Sequence, residues 1–319
     1  MGLVFYPDTR PGIARRRCGR GFTYLAPDGT TIDDRRERDR LRAMAVPPAY
    51  EDVWMSPKAN GHLLATGLDA RQRKQYRYHP DWSEARSAVK FERLADFGAA
   101  LPGIREAIAR DLDTAPGEEA FAHAAALMLI DRIAIRVGSP QYAEENGTYG
   151  ATTLTRRHLR LYGGELRLSY VAKGGKGERR VIRSKRLMKA LQAARDLPGA
   201  ELFTWIAEDG SPRRVGSGSL NDYLAEIGGD GGFTAKTFRT WSGSLAAFEA
   251  HLENPEGSIT AMAEAAADRL ANTPTVARNS YVHPRIIALA GSGDAPRLAR
   301  PRAGLSRSES AMLRLLEQP

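Results

Sequence analysis

A single cysteine, Cys18, stands in the whole sequence. That excludes an intrachain disulfide and any zinc cluster built on cysteine, and it is the cysteine usage of a reducing compartment. Cys18 itself reads as a packed or incidental thiol. Long apolar runs are missing too: no stretch of about 18 residues could span a bilayer, and the N-terminus carries no apolar core of a secretory signal. The expected location is the cytoplasm, with no membrane partner. The six histidines show no HExxH or paired-ligand spacing, and no acidic cluster has the form of a two-metal nuclease site. The glycine-rich stretch Gly174–Gly177 lacks the GKS or GKT ending of a nucleotide-binding loop. No metal, no cofactor and no nucleotide hydrolysis are expected, and no internal repeat is present.

What the sequence has in excess is positive charge. It holds 47 Lys plus Arg against 38 Asp plus Glu, a formal charge of +9, with an isoelectric point near 9.8. A basic protein needs no special partner on that account, but here the charge is unevenly placed. From Arg156 to Lys189 twelve cations accompany two acids, whereas Ile259–Leu270 is mildly acidic. The expectation is one electropositive surface and a polyanion as partner.

With 319 residues and 42% hydrophobic content, the chain is long enough for two domains that each bury a core. The first 80 or so residues read as short strands with turns. Gly21–Ala26 and Thr30–Ile32 flank a turn at Pro27, Asp28 and Gly29, and His62–Gly67 and Lys74–Tyr78 alternate about a hairpin loop at Leu68–Arg71. Pro47 and Pro48 interrupt an arginine-rich helix between them. From about Ser83 onward the apolar residues recur at helical spacing. Phe121–Val137 is a strongly apolar helix stopped at Gly138. Glu165–Ala172 and Arg179–Arg183 form a basic hairpin with a flexible tip at Lys173–Gly177, and helices follow at Leu187–Arg195, Ser219–Ile227, Thr237–Leu252 and Ile259–Ala271. Gly291–Arg302, rich in Gly, Pro and Arg, reads as a linker before a short amphipathic piece at Ala311–Leu316. The expected fold class is α+β: a strand-rich antiparallel N-terminal domain with short helices over 1–82, a mainly helical domain with a basic β-hairpin over 83–290, and a linker and tail over 291–319.

Several residues leave two readings open. Phe238, Trp241, Leu245, Phe248 and Leu252 make the buried face of the helix starting near Thr237, and Arg239 falls in its first turn, where the macrodipole disfavours a cation. Arg239 is then either an exposed arginine at small cost or one side of a phosphate site, whose anion compensates. Arg136, placed at the end of the apolar helix, suits that helix's negative pole, and its oddity is that Arg132 and Arg136 stand one turn apart beside a core. By default Lys173 on the hairpin tip neutralises phosphates, Lys236 is a solvated lysine, Asn272 ends a helix, and Tyr281 is a tyrosine just before a proline break. His283 is near enough in sequence to serve Tyr281 as a base, but residues two apart on a helix face different sides, which favours a structural histidine.

Taken in order, these residues resemble the catalytic constellation of type IB DNA topoisomerases, in the small bacterial and poxvirus form. Ile135, Arg136, Val137 and Gly138 are similar to the family's first arginine motif, followed by Tyr142 and the stretch GTYGATTL at Gly147–Leu154. Lys173 takes the place of the hairpin lysine. Lys236–Arg239 resembles the KxxR motif, and Arg278–Pro284 the nucleophile motif around Tyr281. In the N-terminal part, Asp69–His79 is similar to a strand that contacts the major groove through Gln75, Tyr76 and Tyr78. The resemblance reaches from the N-terminal part to about residue 290. It departs at Asn272, nine residues before the tyrosine, where many members carry histidine; an amide still donates a neutral hydrogen bond to a phosphoryl oxygen, without any titrating role.

The resemblance implies an enzyme acting on duplex DNA as a C-shaped clamp: a monomer, associated with the nucleoid, relaxing supercoils without ATP or metal. Tyr281 would attack a phosphodiester and hold the 3′ phosphate, with Arg136, Arg239 and Asn272 stabilising the charge that builds on the non-bridging oxygens. A free tyrosine titrates near pH ~10, so the nucleophile needs cationic surroundings. Lys173, together with Lys236, would protonate the departing 5′ oxygen, a role that like-charged neighbours favour in a lysine. Two alternatives stand beside this reading. A tyrosine recombinase or integrase uses a related set of residues, but it usually has histidine at the position of Lys236 and a helical DNA-binding domain. A non-catalytic DNA-binding clamp would make Tyr281 incidental.

Overall fold

The structure, a computed structural model, describes every residue except Met1, Gly163, Gly164, Ala295, Arg297, Ala299 and Pro319, and the side chain of Ser87 is likewise left aside. Ala295, Arg297 and Ala299 belong to the segment read as a linker, so that part of the reading lies outside the described residues. The chain divides into two compact units, Met1–Lys90 and Phe91–Pro319.

The first unit is built on an antiparallel sheet of five strands: β1 (Ile13–Cys18), β2 (Gly21–Leu25), then, after helix α1 (Arg35–Ala43), β3 (Glu51–Met55), β4 (Leu63–Leu68) and β5 (Lys74–Tyr78), in the order β2-β1-β3-β4-β5. Its core is small and one-sided, centred on Ile13, Tyr24, Leu41, Val53, Met55 and Ala65. The β4–β5 loop closes on Asp69, whose carboxylate accepts the backbone N–H groups of Arg71 and Arg73 at 2.9 and 3.1 Å, the local turn chemistry of an aspartate. Strand β1 did not stand out in the sequence because it reads as a charge run. Its Arg15 folds back to hydrogen-bond the carbonyls of Val46, Pro47 and Tyr50 at 2.8–3.0 Å, tying the sheet to the proline-interrupted loop after α1.

Helix α2 (Pro80–Glu92) carries the chain from the first unit to the second. The second unit contains α3 (Leu94–Asp111), α4 (Glu119–Ile133), α5 (Pro140–Asn146), a sheet β6 (Leu159–Tyr162), β7 (Glu165–Ala172) and β8 (Lys176–Ile182), α6 (Lys185–Arg195), a short pair β9 (Thr204–Ile206) and β10 (Pro212–Arg214), and then α7 (Ser217–Gly228), α8 (Ala235–Glu253), α9 (Ile259–Leu270), α10 (Pro274–Tyr281), α11 (Pro284–Ile287) and α12 (Arg307–Glu317). The antiparallel strand-rich part followed by a helical part is the α+β class expected from the sequence. Every residue of α4 from Phe121 to Ile130 is buried, as an all-round apolar helix requires, and α3, α6, α7 and α8 surround it.

Two helix boundaries correct the sequence reading, and both move an arginine. Helix α4 does not run to Val137; it stops at Ile133, where Ala134 takes the left-handed conformation and its N–H bonds the carbonyl of Ile130. Arg136 therefore lies in the irregular segment after the helix, and it shares no helical face with Arg132, whose half-exposed side chain approaches Asp131 at 3.8 Å. Helix α8 begins at Ala235 with Thr234 as its N-cap, so Arg239 sits in the second turn, buried at 3% exposure, away from the positive pole.

The amphipathic segment near the C-terminus is α12, and its residues Ala311, Met312, Leu313 and Leu316 join the core of the second unit. A buried charge cluster fastens it. Arg105 of α3 donates to both carboxylate oxygens of Asp131 at 3.0 and 2.9 Å and of Glu309 at 2.8 and 3.1 Å, while Trp241 of α8 donates its indole N–H to Glu309 at 3.2 Å. Burial alone would raise the Glu309 carboxyl, but the bonds from Arg105 hold it below its ordinary value. Removing one partner of such a cluster leaves a buried guanidinium with fewer partners. Glu309→Ala is expected to lower unfolding stability by about 3 kcal/mol, read as a lower urea midpoint at unchanged slope; a midpoint within error of the wild type would show that the cluster contributes nothing net.

Candidate active site

Helices α4 and α9 end alike. Ala134 follows the first and Ala271 the second, both at left-handed φ (52° and 51°); the left-handed turn closes each helix and leaves carbonyls facing outward. The N–H of Asn272 then reaches back to the carbonyl of Ala267 at 3.0 Å, completing the end of α9. Arginine side chains take the outward carbonyls. Arg239 donates to the carbonyl of Ala134 in a very short bond and to that of Leu270 at 3.0 Å, and Arg136 donates to the carbonyl of Ala271 at 3.3 Å and, again in a very short bond, to the side-chain oxygen of Asn272. A cation at a helix C-terminus is favoured by the dipole, which resolves the apparent misplacement of Arg239: its head lies at the negative ends of two other helices.

These acceptors orient the guanidiniums without neutralising them. Burial, and next the neighbouring Arg136, lower the Arg239 guanidinium from its ordinary value, so two like charges share a poorly hydrated cleft. Among the described residues the Nε of Arg239 and the side-chain nitrogen of Asn272 are buried without a partner. Unused donors beside two cations have the chemistry to receive an oxyanion such as a phosphoryl group.

Tyr281 is the last residue of α10. Thr273 caps that helix and Pro274 opens it, and Ala277 and Val282, both fully buried, fix its inner side. The Tyr281 ring lies under the Arg239 guanidinium, 5.1 Å from its centroid. Its backbone rests on α8: Ser244 donates to the carbonyl of Tyr281 at 3.2 Å and accepts the N–H of His283 at 3.0 Å. A Cβ at Gly243 would stand 3.0 Å from that carbonyl and 3.1 Å from the tyrosine Cβ, so this face of α8 must be bare. Neither Gly243 nor Ser244 was anticipated; the available signal was a Gly-Ser pair inside an otherwise apolar helix, where glycine costs about 1 kcal/mol unless packing requires it. His283 caps α11 through its Nδ1, which accepts the Arg285 N–H at 3.1 Å, and its ring meets Phe91 edge-on. Burial and Arg285 hold its imidazole down at about 4.

The stretch Gly147–Leu154 has a plain structural purpose. The N–H of Ala151 bonds the carbonyl of Arg136 at 2.8 Å and that of Thr152 the carbonyl of Val137 at 2.7 Å, so this segment holds the peptide from which Arg136 projects. Gly150 lies so close that a Cβ there would fall 2.5 Å from the Arg136 carbonyl oxygen.

The hairpin of β7 and β8 forms another wall of the cleft through Tyr170, Ala172 and Arg180. Its register pairs Ala172 with Lys176, leaving Lys173, Gly174 and Gly175 as the loop. Both glycines are at positive φ, and Lys173 is exposed at the tip, next to the cleft-lining Ala172. Tyr170, which the sequence reading passed over, is buried; burial and the facing Glu178 push its hydroxyl up to about 12, against the opposing pull of Arg180, Arg239 and Arg136. It stays protonated beside the arginines.

The structure thus gathers Arg136, Arg239, Asn272 and Tyr281 in one place. Lys236 is exposed in the first turn of α8, one turn before Arg239, and Tyr142 is 40% exposed on α5. In the first unit, Tyr76 and Tyr78 stack on one face of β5 with centroids 6.1 Å apart, 50% and 42% exposed. Strand alternation turns Gln75 to the other face, where its amide donates to Asp69 at 3.0 Å. Among the described residues no three His, Cys, Asp or Glu side chains group so as to hold a metal ion, and no helix is long and apolar enough to cross a membrane.

Cationic donors converging on a tyrosine, in a unit rich in basic surface, mark a protein that handles phosphodiesters. Comparison with known proteins gives the class its family. The model for the catalytic core of eukaryotic DNA topoisomerase I matches residues 79–280, and that for the N-terminal domain of bacterial DNA topoisomerase IB matches residues 21–69. The first match spans Arg136, Lys173, Lys236, Arg239 and Asn272 and stops one residue before Tyr281. DNA topoisomerase 1B of Acanthamoeba polyphaga mimivirus is 29% identical over 286 residues, 85% of each chain. DNA topoisomerase 1B of Vaccinia virus (strain Copenhagen) and DNA topoisomerase I of Monkeypox virus are each 24% identical over 213 residues, 64% of this chain and 63% of theirs. The chain belongs to the type IB DNA topoisomerase family, and its activity is the relaxation of DNA.

Two expectations follow from this geometry. Gly150→Ala should displace the Arg136 peptide and reduce relaxation by roughly a hundredfold, the cost of about 1 Å of misplacement, and lower the thermal midpoint as overpacking does; full activity would mean that the contact is easily relieved. The histidines set an acid limit. His283 stays neutral in the fold down to about 4, as does His158 under burial and Arg157, whereas the unfolded chain takes up these protons near pH ~6.5. The unfolded state binds more protons in between, so stability falls as the pH drops from about 6.5 to about 4. His283→Asn, which keeps an acceptor for the cap and cannot titrate, should flatten that dependence in urea titrations at stepped pH; an unchanged slope would remove His283 from the account.

Proposed function

We propose that the chain relaxes supercoiled duplex DNA by cutting one strand through a covalent 3′-phosphotyrosyl bond to Tyr281, letting the free end rotate, and resealing it. The observation that carries this reading is the meeting of Arg136, Arg239 and Asn272 at the end of α9, with Tyr281 under the Arg239 guanidinium. The tyrosine oxygen attacks phosphorus in line with the departing 5′ oxygen. Charge grows on the two non-bridging oxygens, where the fixed guanidiniums and the unpartnered amide nitrogen of Asn272 receive it. Preorganised donors of this kind contribute roughly 3 kcal/mol each, which gives the phosphoryl group its electrophilic help from side chains in place of a metal ion. Lys173, with Lys236, protonates the leaving 5′ oxygen. The new phosphotyrosyl ester conserves the energy of the broken diester, so resealing by the 5′ hydroxyl returns the proton and frees the tyrosine without ATP.

Tyr76 and Tyr78 offer exposed stacked rings, and with Tyr142 they are the proposed DNA contacts outside the reacting centre; Gln75 would have to leave Asp69 to join them. Every group named comes from one chain, so a single copy suffices. Tyr281→Phe is expected to bind plasmid DNA like the wild type, yet to give no relaxation in EDTA without ATP and no adduct trapped by detergent. Arg239→Ala should leave adduct formation slower by about a hundred- to a thousandfold. Residual relaxation by the phenylalanine variant would reject Tyr281 as nucleophile, and strand exchange between two specific sites would move the chain to the recombinase reading.

A further inference from the structure

We propose that Arg180 is a positioning residue: it latches the hairpin carrying Lys173 onto the end of α9, and so sets the general acid at the leaving oxygen. The inference rests on the reading of Lys173 as that acid. Arg180 is on the inward face of β8 and lines the same cleft as Arg136 and Arg239, but it uses its guanidinium differently. It donates to the carbonyl of Asp268 at 3.1 Å, two residues before the Leu270 carbonyl held by Arg239 and three before the Ala271 carbonyl held by Arg136, and it pairs with Glu178 of its own strand at 3.1 Å. Glu178 is a buried carboxylate that also meets Lys176 at 3.7 Å, just past the hairpin loop.

A carboxylate beside the cleft weakens the positive field where a phosphate must bind. Holding Arg180 and Lys176 accounts for it: Glu178 offsets part of their charge and makes both structural. The other strand has its own tie, the N–H of Tyr149 to the carbonyl of Val171 at 2.8 Å, two residues before Lys173. The loop itself, with Gly174 and Gly175 at positive φ, supplies no stiffness. The lysine is therefore placed by the two anchors below it, a backbone bond on β7 and the Arg180 latch on β8. Because the latch grips α9, the helix whose end orients Arg136 and Arg239, the acid and the oxyanion receptor share one reference point.

The leaving group distinguishes this role from a merely structural one. In cleavage the bond between phosphorus and the 5′ oxygen breaks, and the oxygen takes a proton from the Lys173 ammonium. If sulfur replaces that bridging oxygen, the thiolate leaves unprotonated, because a thiol is a far stronger acid than an alcohol. Single-turnover cleavage is measured on a duplex whose cut site has been mapped with the wild-type enzyme, with oxygen or sulfur at the scissile bridge. Arg180→Ala should cut the oxygen substrate about ten- to a hundredfold more slowly and the sulfur substrate within about threefold of the wild type. Arg180→Lys, which still reaches an acceptor and a carboxylate, should recover most of the rate. Glu178→Gln, which keeps Arg180 but loosens it, should show a smaller loss with the same selectivity. Equal slowing of both substrates by Arg180→Ala, or no slowing of either, overturns the latch. If Lys173→Ala is rescued by sulfur and Arg180→Ala is not, the latch alone fails; if Lys173→Ala slows both equally, the reading of Lys173 as the acid fails and takes the latch with it.

Discussion

Guanidinium groups resting on the carbonyl ends of helices are the contacts on which the catalytic unit depends. A buried arginine usually finds a carboxylate, and the pair then presents little net charge to a ligand. Here Arg136 and Arg239 are held by the carbonyls of Ala134, Leu270 and Ala271 and by the Asn272 side chain. Dipoles of that kind fix direction while leaving the charge in place. The same two helix ends that collect the arginines also set Asn272 in the cleft, so three of the groups that meet there derive from the geometry of α4 and α9.

That geometry is secured further out. The all-apolar α4 is enclosed by α3, α6, α7 and α8, and the Arg105, Asp131 and Glu309 cluster joins α3 and α4 to α12, with Trp241 bringing in α8 two residues beyond Arg239. Close backbone contacts complete the arrangement where no side chain fits: Gly150 against the Arg136 peptide and Gly243 against Tyr281. Displacement of α4, α8 or α9 moves residues that line the cleft directly.

Much of this was legible from residue patterns. The hairpin Glu165–Ala172 with its basic, glycine-rich tip, the buried face of α8 and the alanine-rich α9 follow from alternation and helical spacing. The ordered motifs pointed to Arg136, Lys173, Arg239 and Tyr281 together. What escaped was non-local. Strand β1 holds three consecutive arginines, and only its pairing with β2 and β3 makes it a strand. Ala134 and Ala271 end their helices in a conformation that composition would assign to glycine, so α4 was read four residues too long and Arg136 was placed on a helix. Arg239 looked misplaced for a related reason: its own helix was in view, while the two whose ends it serves were distant in sequence. Glu178, one of two acids in a basic run, gave no hint that it would be buried.

The like-charged cleft has a consequence for the economy of the fold. A folded state that keeps Arg136 and Arg239 side by side also carries two helix ends strained by about 1 kcal/mol per left-handed alanine. Selection for stability alone would place glycine at both helix ends. Two alanines and two like charges there mark a cost in stability carried at single side chains. An anion taken up in that cleft would offset the cost, because it binds the folded form and not the unfolded one.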